Sequence, residues 1–262
     1  MQKYWIALSK AFKGQLIYRS AMLSRIASTL IGFFIQLFLW SALLETDMGS
    51  GLSLPDMVLF LIVNKFVFAL TNANISSTIE AAMIDGSISM ELLRPISYKG
   101  YLFSSILGKN IFSLFTDFLP VLLVGAFFLR GAPMPGVVSL ALFAVSALLG
   151  VLLLFEITYL VGLLAFWLQR CWFLGWYLRG FLTFFGGTAV PLWFYPDFLK
   201  TASYFLPFRY MTFEPINLFL GKTAITAAWI PILAAFLWLI GLSLLDKLMW
   251  HAATKKLTVN GG

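Results

Sequence analysis

Charged and polar positions divide this chain into long apolar runs. An α-helix rises about 1.5 Å per residue, so about 20 residues cross the ~30 Å hydrocarbon core of a bilayer. Six runs meet that length, at roughly 26–44, 57–80, 101–129, 137–167, 172–193 and 226–246. The pattern predicts an all-α integral membrane protein with six transmembrane helices. The third and fourth runs are long enough to tilt or to protrude.

Three stretches between the runs carry their own pattern. In residues 1–20, Trp5, Leu8, Phe12 and Leu16 fall on one helical stripe while Lys3, Lys10 and Lys13 project elsewhere. Two readings stand: an amphipathic helix lying in the membrane interface, which Gly14 and the charges favour, or an extension of the first span. Residues 81–99 form a polar island. Pro95 disfavours helix at Arg94 and marks a break before the third span. The stretch 194–225 is aromatic and broken by Pro196, Pro207 and Pro215. It is too broken to span and too apolar for a solvated loop, so short re-entrant helices are expected. No second domain is predicted.

Composition agrees with this class. The chain is 61% hydrophobic and 11% charged, with a mean hydropathy of +0.92, whereas a soluble domain is about half apolar and about a quarter charged. The N-terminus lacks a signal-peptide pattern, so the first run is expected to be retained. The net charge of +7 reads as basic loops rather than nucleic-acid binding. With both termini cytoplasmic, the inside holds Lys3, Lys10, Lys13, Arg19, Arg25, Arg94, Lys99, Arg170, Lys247, Lys255 and Lys256. The outside holds only Arg130, Lys200, Arg209 and Lys222. That asymmetry predicts the N-in, C-in orientation.

Candidate chemistry is sparse. One cysteine, Cys171, and one histidine, His251, give nothing on which to build a disulfide, a zinc site or a nucleophilic triad. Gly221-Lys222-Thr223 resembles the end of a phosphate-binding loop, but Ile216 stands where that loop needs glycine. Inside the spans lie Lys65, Lys109, Asp117, Glu156 and Arg179, with Asn64, Asn72 and Asn74 making the second span polar. Charges at membrane depth pair or face a polar cavity. Depth counting predicts Lys65 with Asp117, and Glu156 with Arg179 or Lys109. Whether these groups hold helices together, relay ions or touch cargo stays open. Around the fifth span, Trp172, Trp176, Tyr177, Trp193, Phe194 and Tyr195 read as belt anchors or as an apolar binding surface.

The segments "DGSISMELLRPIS" (Asp85 to Ser97) and "LPFRYMTFEPINLFLGK" (Leu206 to Lys222), on this six-span plan, resemble the permease subunit of a bacterial type-2 ABC transporter. The likeness is to the short stand-alone branch and covers nearly the whole chain. Comparable places in that family carry a Gly, then Leu-Leu-Arg-Pro, and later a Pro before a Leu-Gly-Lys end. The resemblance implies an exporter in the cytoplasmic membrane. Two permeases pair, as copies or sisters, and bind separate ATPase subunits that hold ATP and magnesium. This chain is then non-catalytic and needs no cofactor of its own. Residues 81–99 become the element that couples to the ATPase, with Asp85, Gly86, Ile88, Met90, Glu91, Leu92, Leu93, Arg94 and Pro95 at its centre. Ile88, Met90, Leu92 and Leu93 are expected to form one apolar docking patch. A plain solvated turn is the other reading of this stretch. Pro196, Pro207, Glu214 and Pro215 belong to an outer gate. The competing functions are a self-sufficient ion-coupled carrier or channel and a membrane-embedded lipid enzyme. The substrate stays open between lipophilic compounds and polysaccharide.

Overall fold

A computed structural model describes residues 2–45, 53–71, 75–129, 135–168 and 170–256. Asn72, Asn74 and Arg130 lie outside them. Every regular element among the described residues is a helix.

Helix α1 (Gln2–Leu16) is followed directly by α2 (Arg19–Glu45). Helix α3 (Leu54–Thr71) opens on a reciprocal cap. Asp56 accepts the Ser53 N–H and hydroxyl at 3.0 and 2.8 Å, and its own N–H donates to the Ser53 hydroxyl at 3.4 Å. Then come α4 (Ser76–Ile84), the five-residue α5 (Ile88–Leu92) and α6 (Tyr98–Ser113). Ser97 caps α6 through Gly100 N–H at 3.4 Å. A π-helical turn, Leu114–Phe118, leads into α7 (Leu119–Gly125). Its cause is local: Pro120 has no N–H to donate to the carbonyl four residues back, so the regular ladder cannot continue. After α8 (Val137–Leu163) come α9 (Trp172–Phe185), α10 (Asp197–Tyr204), α11 (Phe208–Met211), α12 (Phe213–Phe219) and α13 (Trp229–Lys255).

Five stretches are long and apolar enough to cross a membrane: Arg19–Glu45, Leu54–Ile84, Tyr98–Phe128, Val137–Phe166 and Ile225–Lys255. They coincide with five of the six predicted runs. The fifth run differs. Its helix is α9, 14 residues or about 21 Å, and the chain turns at Gly186 and Gly187. Gly187 has φ +66°, a conformation that favours glycine. A Cβ on Gly186 would meet the Leu182 carbonyl and the Thr212 hydroxyl. Beyond Pro191 the chain folds back, so Trp193 packs on Phe60 and Phe213, and Phe194 on Trp40.

The bundle has two ends, one holding α5 and the other α10 to α12. Helix α3 is the inner one: 61% of its stretch is buried, against 17% for those of α2 and α13. One core, around Phe33, Phe60, Val121, Phe143 and Ile216, fills the α10–α12 half. A second, around Ile79, Leu102, Tyr159, Leu163 and Ala253, fills the α5 half. Helix α1 packs along α6. Gly108 permits this, because any Cβ there would collide with the Leu8 carbonyl. Phe12 then reaches Phe112 and Phe115, at 6.3 and 6.4 Å between ring centroids. Part of the stripe assigned to lipid therefore covers α6, while Trp5 and Leu16 stay exposed.

Candidate functional site

At one end of the bundle the chain makes an elbow, from α4 through α5 to α6. Gly86, at φ +75°, reverses it after α4. The Asp85 carboxylate accepts the Ser87 N–H at 2.9 Å. Hydrogen bonds from the Ser87 side chain and backbone hold its pKa below the usual carboxylate range. Ile88 is 3% exposed and anchors α5 in the second core, with Leu92 partly buried beside it. Met90 and Leu93 are 70% and 80% exposed. The single apolar patch predicted from Ile88, Met90, Leu92 and Leu93 is thus divided. Within the five-residue helix Ile88 and Leu92 face the bundle and Met90 faces away, and Leu93, the residue that follows it, projects as well. Arg94 lies 5.2 Å from the Tyr101 ring. Helix α1 is tied to the same elbow: Lys3 Nζ donates to Pro95 O at 3.4 Å and Ser97 N–H to the Tyr4 hydroxyl at 3.3 Å.

The intramembrane charges pair differently from the sequence expectation. Asp117 pairs with Arg25, not Lys65. Arg25 Nε donates to Oδ1 at 2.7 Å, Nη2 contacts Oδ2, and Nη2 also reaches the Ser113 hydroxyl at 2.8 Å. Arg25 was counted as loop, yet it lies within α2, and the π-turn carrying Asp117 faces it. Lys65 Nζ sits 5.9 Å from the Phe68 ring and makes no close ion pair among the described residues, although the Asp117 carboxylate acts on it electrostatically at longer range. Glu156 pairs with Lys99, not with Arg179 or Lys109. Lys99 Nζ lies 2.7 and 2.8 Å from the two Glu156 oxygens and 2.6 Å from Asp246 Oδ2. The Ser243 hydroxyl donates to Glu156 at 3.2 Å. The lysine starts in the first turn of α6, and its stem reaches carboxylates on α8 and α13. Sequence reasoning missed Lys99, because it fell in a loop by depth counting, and Asp246, because it closed the last run. Asn64 donates to Thr188 O at 2.7 Å.

Another missed contact joins α4 to the start of α9. Glu80, 6% exposed, accepts the Cys171 N–H at 2.9 Å. Burial first, then the Glu80 carboxylate, push the Cys171 thiol up to about 11.

At the opposite end, Pro196 and Pro207 precede α10 and α11. Arg209, 4% exposed, holds this end together. It donates to Glu214 Oε1 from Nε at 2.9 Å and from Nη2 at 2.5 Å, and to the Ser203 hydroxyl at 2.9 Å. Its guanidinium lies 3.6 Å from the Tyr204 ring centroid. Pro215 is buried in α12. Lys222 follows Gly221, whose φ of +66° ends α12 in a turn. This sequence motif is a helix stop, not a phosphate cradle.

A family model described as "ABC-2 family transporter protein" matches residues 30–261, nearly the whole chain and every long apolar stretch in whole or part. No curated protein matches the chain.

Proposed function

Since the chain belongs to the ABC-2 family of transporter proteins, we propose that it is the permease subunit of an ATP-driven exporter, working as a dimer with separate ATPase subunits. In this reading the elbow end is cytoplasmic, as are both termini, in agreement with the excess of lysine and arginine there. The chain is non-catalytic, and ATP and its magnesium ion are held by the ATPase. Helices α10 to α12 close the outer end, where the buried Arg209–Glu214 pair keeps them together.

The observation that carries the reading is the divided elbow. Ile88 fixes α5 to the bundle while Met90 and Leu93 project from it. Large apolar side chains on a short, anchored helix fit a pocket on a partner, and burying each contributes about 1.5–3 kcal/mol. The ties from Lys3 and Tyr4 join α1 to the elbow. The test is co-purification of the ATPase encoded with this chain, using Met90→Asp with Leu93→Asp. Association should fall by about a hundredfold or more while the permease keeps its elution profile. ATPase association equal to wild type would refute the docking role.

A further inference from the structure

Helix α9 carries a cation that the packing leaves open. Arg179 lies near the middle of α9, about 10 Å from either end. It is exposed, and its guanidinium makes no hydrogen bond, ion pair or ring contact among the described residues. Its neighbours Phe68 and Leu154 sit near the middle of the stretches Leu54–Ile84 and Val137–Phe166, so the guanidinium belongs to the membrane interior. A lone charge at that depth is costly, and such residues as a rule pair or line a substrate or ion path.

Two cavities meet at Arg179. One, of about 50 Å³, lies between α9 and the α3–α8 pair, with Thr71 and Thr158 in its wall. It has room for water. The other, of about 720 Å³, lies between α9 and the returning segment 189–199, and is within the roughly 300–1,000 Å³ of small-molecule sites. Trp176, Gly180 and Phe184 share one face of α9 with Arg179, and Val190 and Tyr195 stand across from them. Both linings include Arg179 and Thr183, and neither includes a carboxylate among the described residues.

The counter-charge does not come from the protein. Glu80, Asp117, Glu156, Glu214 and Asp246 are each at most 7% exposed. Each is already held, by the Cys171 N–H, Arg25, Lys99, Arg209 and Lys99 respectively. The other described acids lie at helix ends or in the elbow. A second copy packed on α9 therefore offers no free carboxylate at this depth among the described residues. A bilayer phospholipid keeps its phosphate at the surface, about 15 Å from the midplane. The anion has to be one that enters the cavity, and aromatic walls beside the cation suit a ligand with an apolar body.

We propose that this cavity binds the acidic head of an amphiphilic cargo, with Arg179 as its charge partner and Trp176, Phe184 and Tyr195 against its apolar part. That cargo class rests on the exporter reading. Binding itself needs no ATPase, so failure of the site and failure of the exporter reading are told apart by separate measurements.

The test counts radiolabelled dodecyl phosphate on the full-length chain in phosphatidylcholine nanodiscs, against empty discs. Saturable binding is expected, displaced by dodecanoate but not by dodecanol, dodecyltrimethylammonium or acetate. Arg179→Gln should weaken binding about tenfold or more, and Arg179→Lys less. The fold should survive Arg179→Gln, which removes an unpaired charge. Gly180→Leu keeps the arginine but fills the cavity, because a Cβ at Gly180 meets nothing within 4 Å. It too should weaken binding about tenfold or more. In high salt, which screens the disc surface, phosphatidylglycerol should leave the affinity within about twofold. The assignment is overturned if no saturable binding occurs, if either Arg179→Gln or Gly180→Leu binds as wild type does, or if dodecanol competes as well as dodecanoate. It is equally overturned if phosphatidylglycerol displaces the probe, which gives the site to a membrane lipid.

Discussion

Replacing Arg25 by Met should destabilise the chain strongly, and replacing Asp117 as well should restore much of the loss. Asp117 is buried, with its side chain 6% exposed, whereas the Arg25 side chain is 32% exposed. Its remaining partners, the Thr29 and Thr116 hydroxyls at 3.4 and 3.5 Å, are too long to satisfy a carboxylate. Removing one member of a fully buried ion pair costs about 3–5 kcal/mol. The exposure of Arg25 lets water reach part of the site, so about 2–4 kcal/mol is expected here. For a chain of this size that is a fall of roughly 5–15 °C in unfolding midpoint. Arg25→Met with Asp117→Leu removes both charges and fills the space with apolar atoms, which is often close to neutral. The assay is a double-mutant cycle in detergent, read by fluorescence-detected size exclusion after heating. A coupling energy of about 2 kcal/mol between positions 25 and 117 is expected. The same cycle between Lys65→Met and Asp117→Leu should give a smaller coupling, because Lys65 acts on Asp117 only at longer range, without an ion-pair contact. Near-additivity at 25 and 117, or stronger coupling at 65 and 117, would refute the assignment.

Other outcomes can be stated more briefly. Gly108→Val places a side chain against the Leu8 carbonyl and the Ala11 methyl, so α1 should lift from α6, with a stability loss of at least about 1–3 kcal/mol and faster proteolysis of residues 2–16. Gly14→Ala has open space around it and should be neutral or slightly stabilising. With its thiol held near 11, folded Cys171 is about one part in three thousand thiolate at pH 7.5, against about one in ten for a free cysteine. Maleimide labelling should therefore be slow and should keep rising about tenfold per pH unit past pH 9, where a plateau would contradict the buried site. Arg209→Met should cost about 3–5 kcal/mol by stranding Glu214, and Arg209→Met with Glu214→Leu should recover most of it in the same heating assay.

Much of the architecture was legible because lipid constrains it. Every backbone polar group inside hydrocarbon must bond within its own segment, so runs of about 20 apolar residues report helices almost directly. Five of the six runs appear as long helices for that reason. The fifth, at 172–193, differs in length because glycine is neutral on a hydropathy scale, yet Gly186 and Gly187 let the chain turn back. The prolines mark the starts of short helices in this segment: Pro196 and Pro207 stand just before α10 and α11, and Pro215 lies in the first turn of α12, where a missing N–H is tolerated. The elbow was visible as a charged, proline-broken island. Which of its apolar residues point outward was not, because a helix of one turn has too few residues to show a periodic face.

The charge pairs were legible only in part: Asp117 and Glu156 stood out as groups that must pair, and Lys65 does act on Asp117 at longer range, but the cations in contact with them did not show in the pattern. Depth along a run gives a height in the membrane but no azimuth, and each helix can rotate freely in that description. Arg25 with Asp117, and Lys99 with Glu156 and Asp246, join residues 57 to 147 positions apart. Their meeting depends on the π-turn in the third span, on the packing of α8 against α13, and on long side chains that reach away from their own Cα level. The sequence by itself determined the membrane class, the broken segment at 194–225 and the polar elbow, because each follows from local transfer and backbone energetics. Only the tertiary structure decided which ions pair and which face of the elbow projects, because those depend on how the helices turn toward one another.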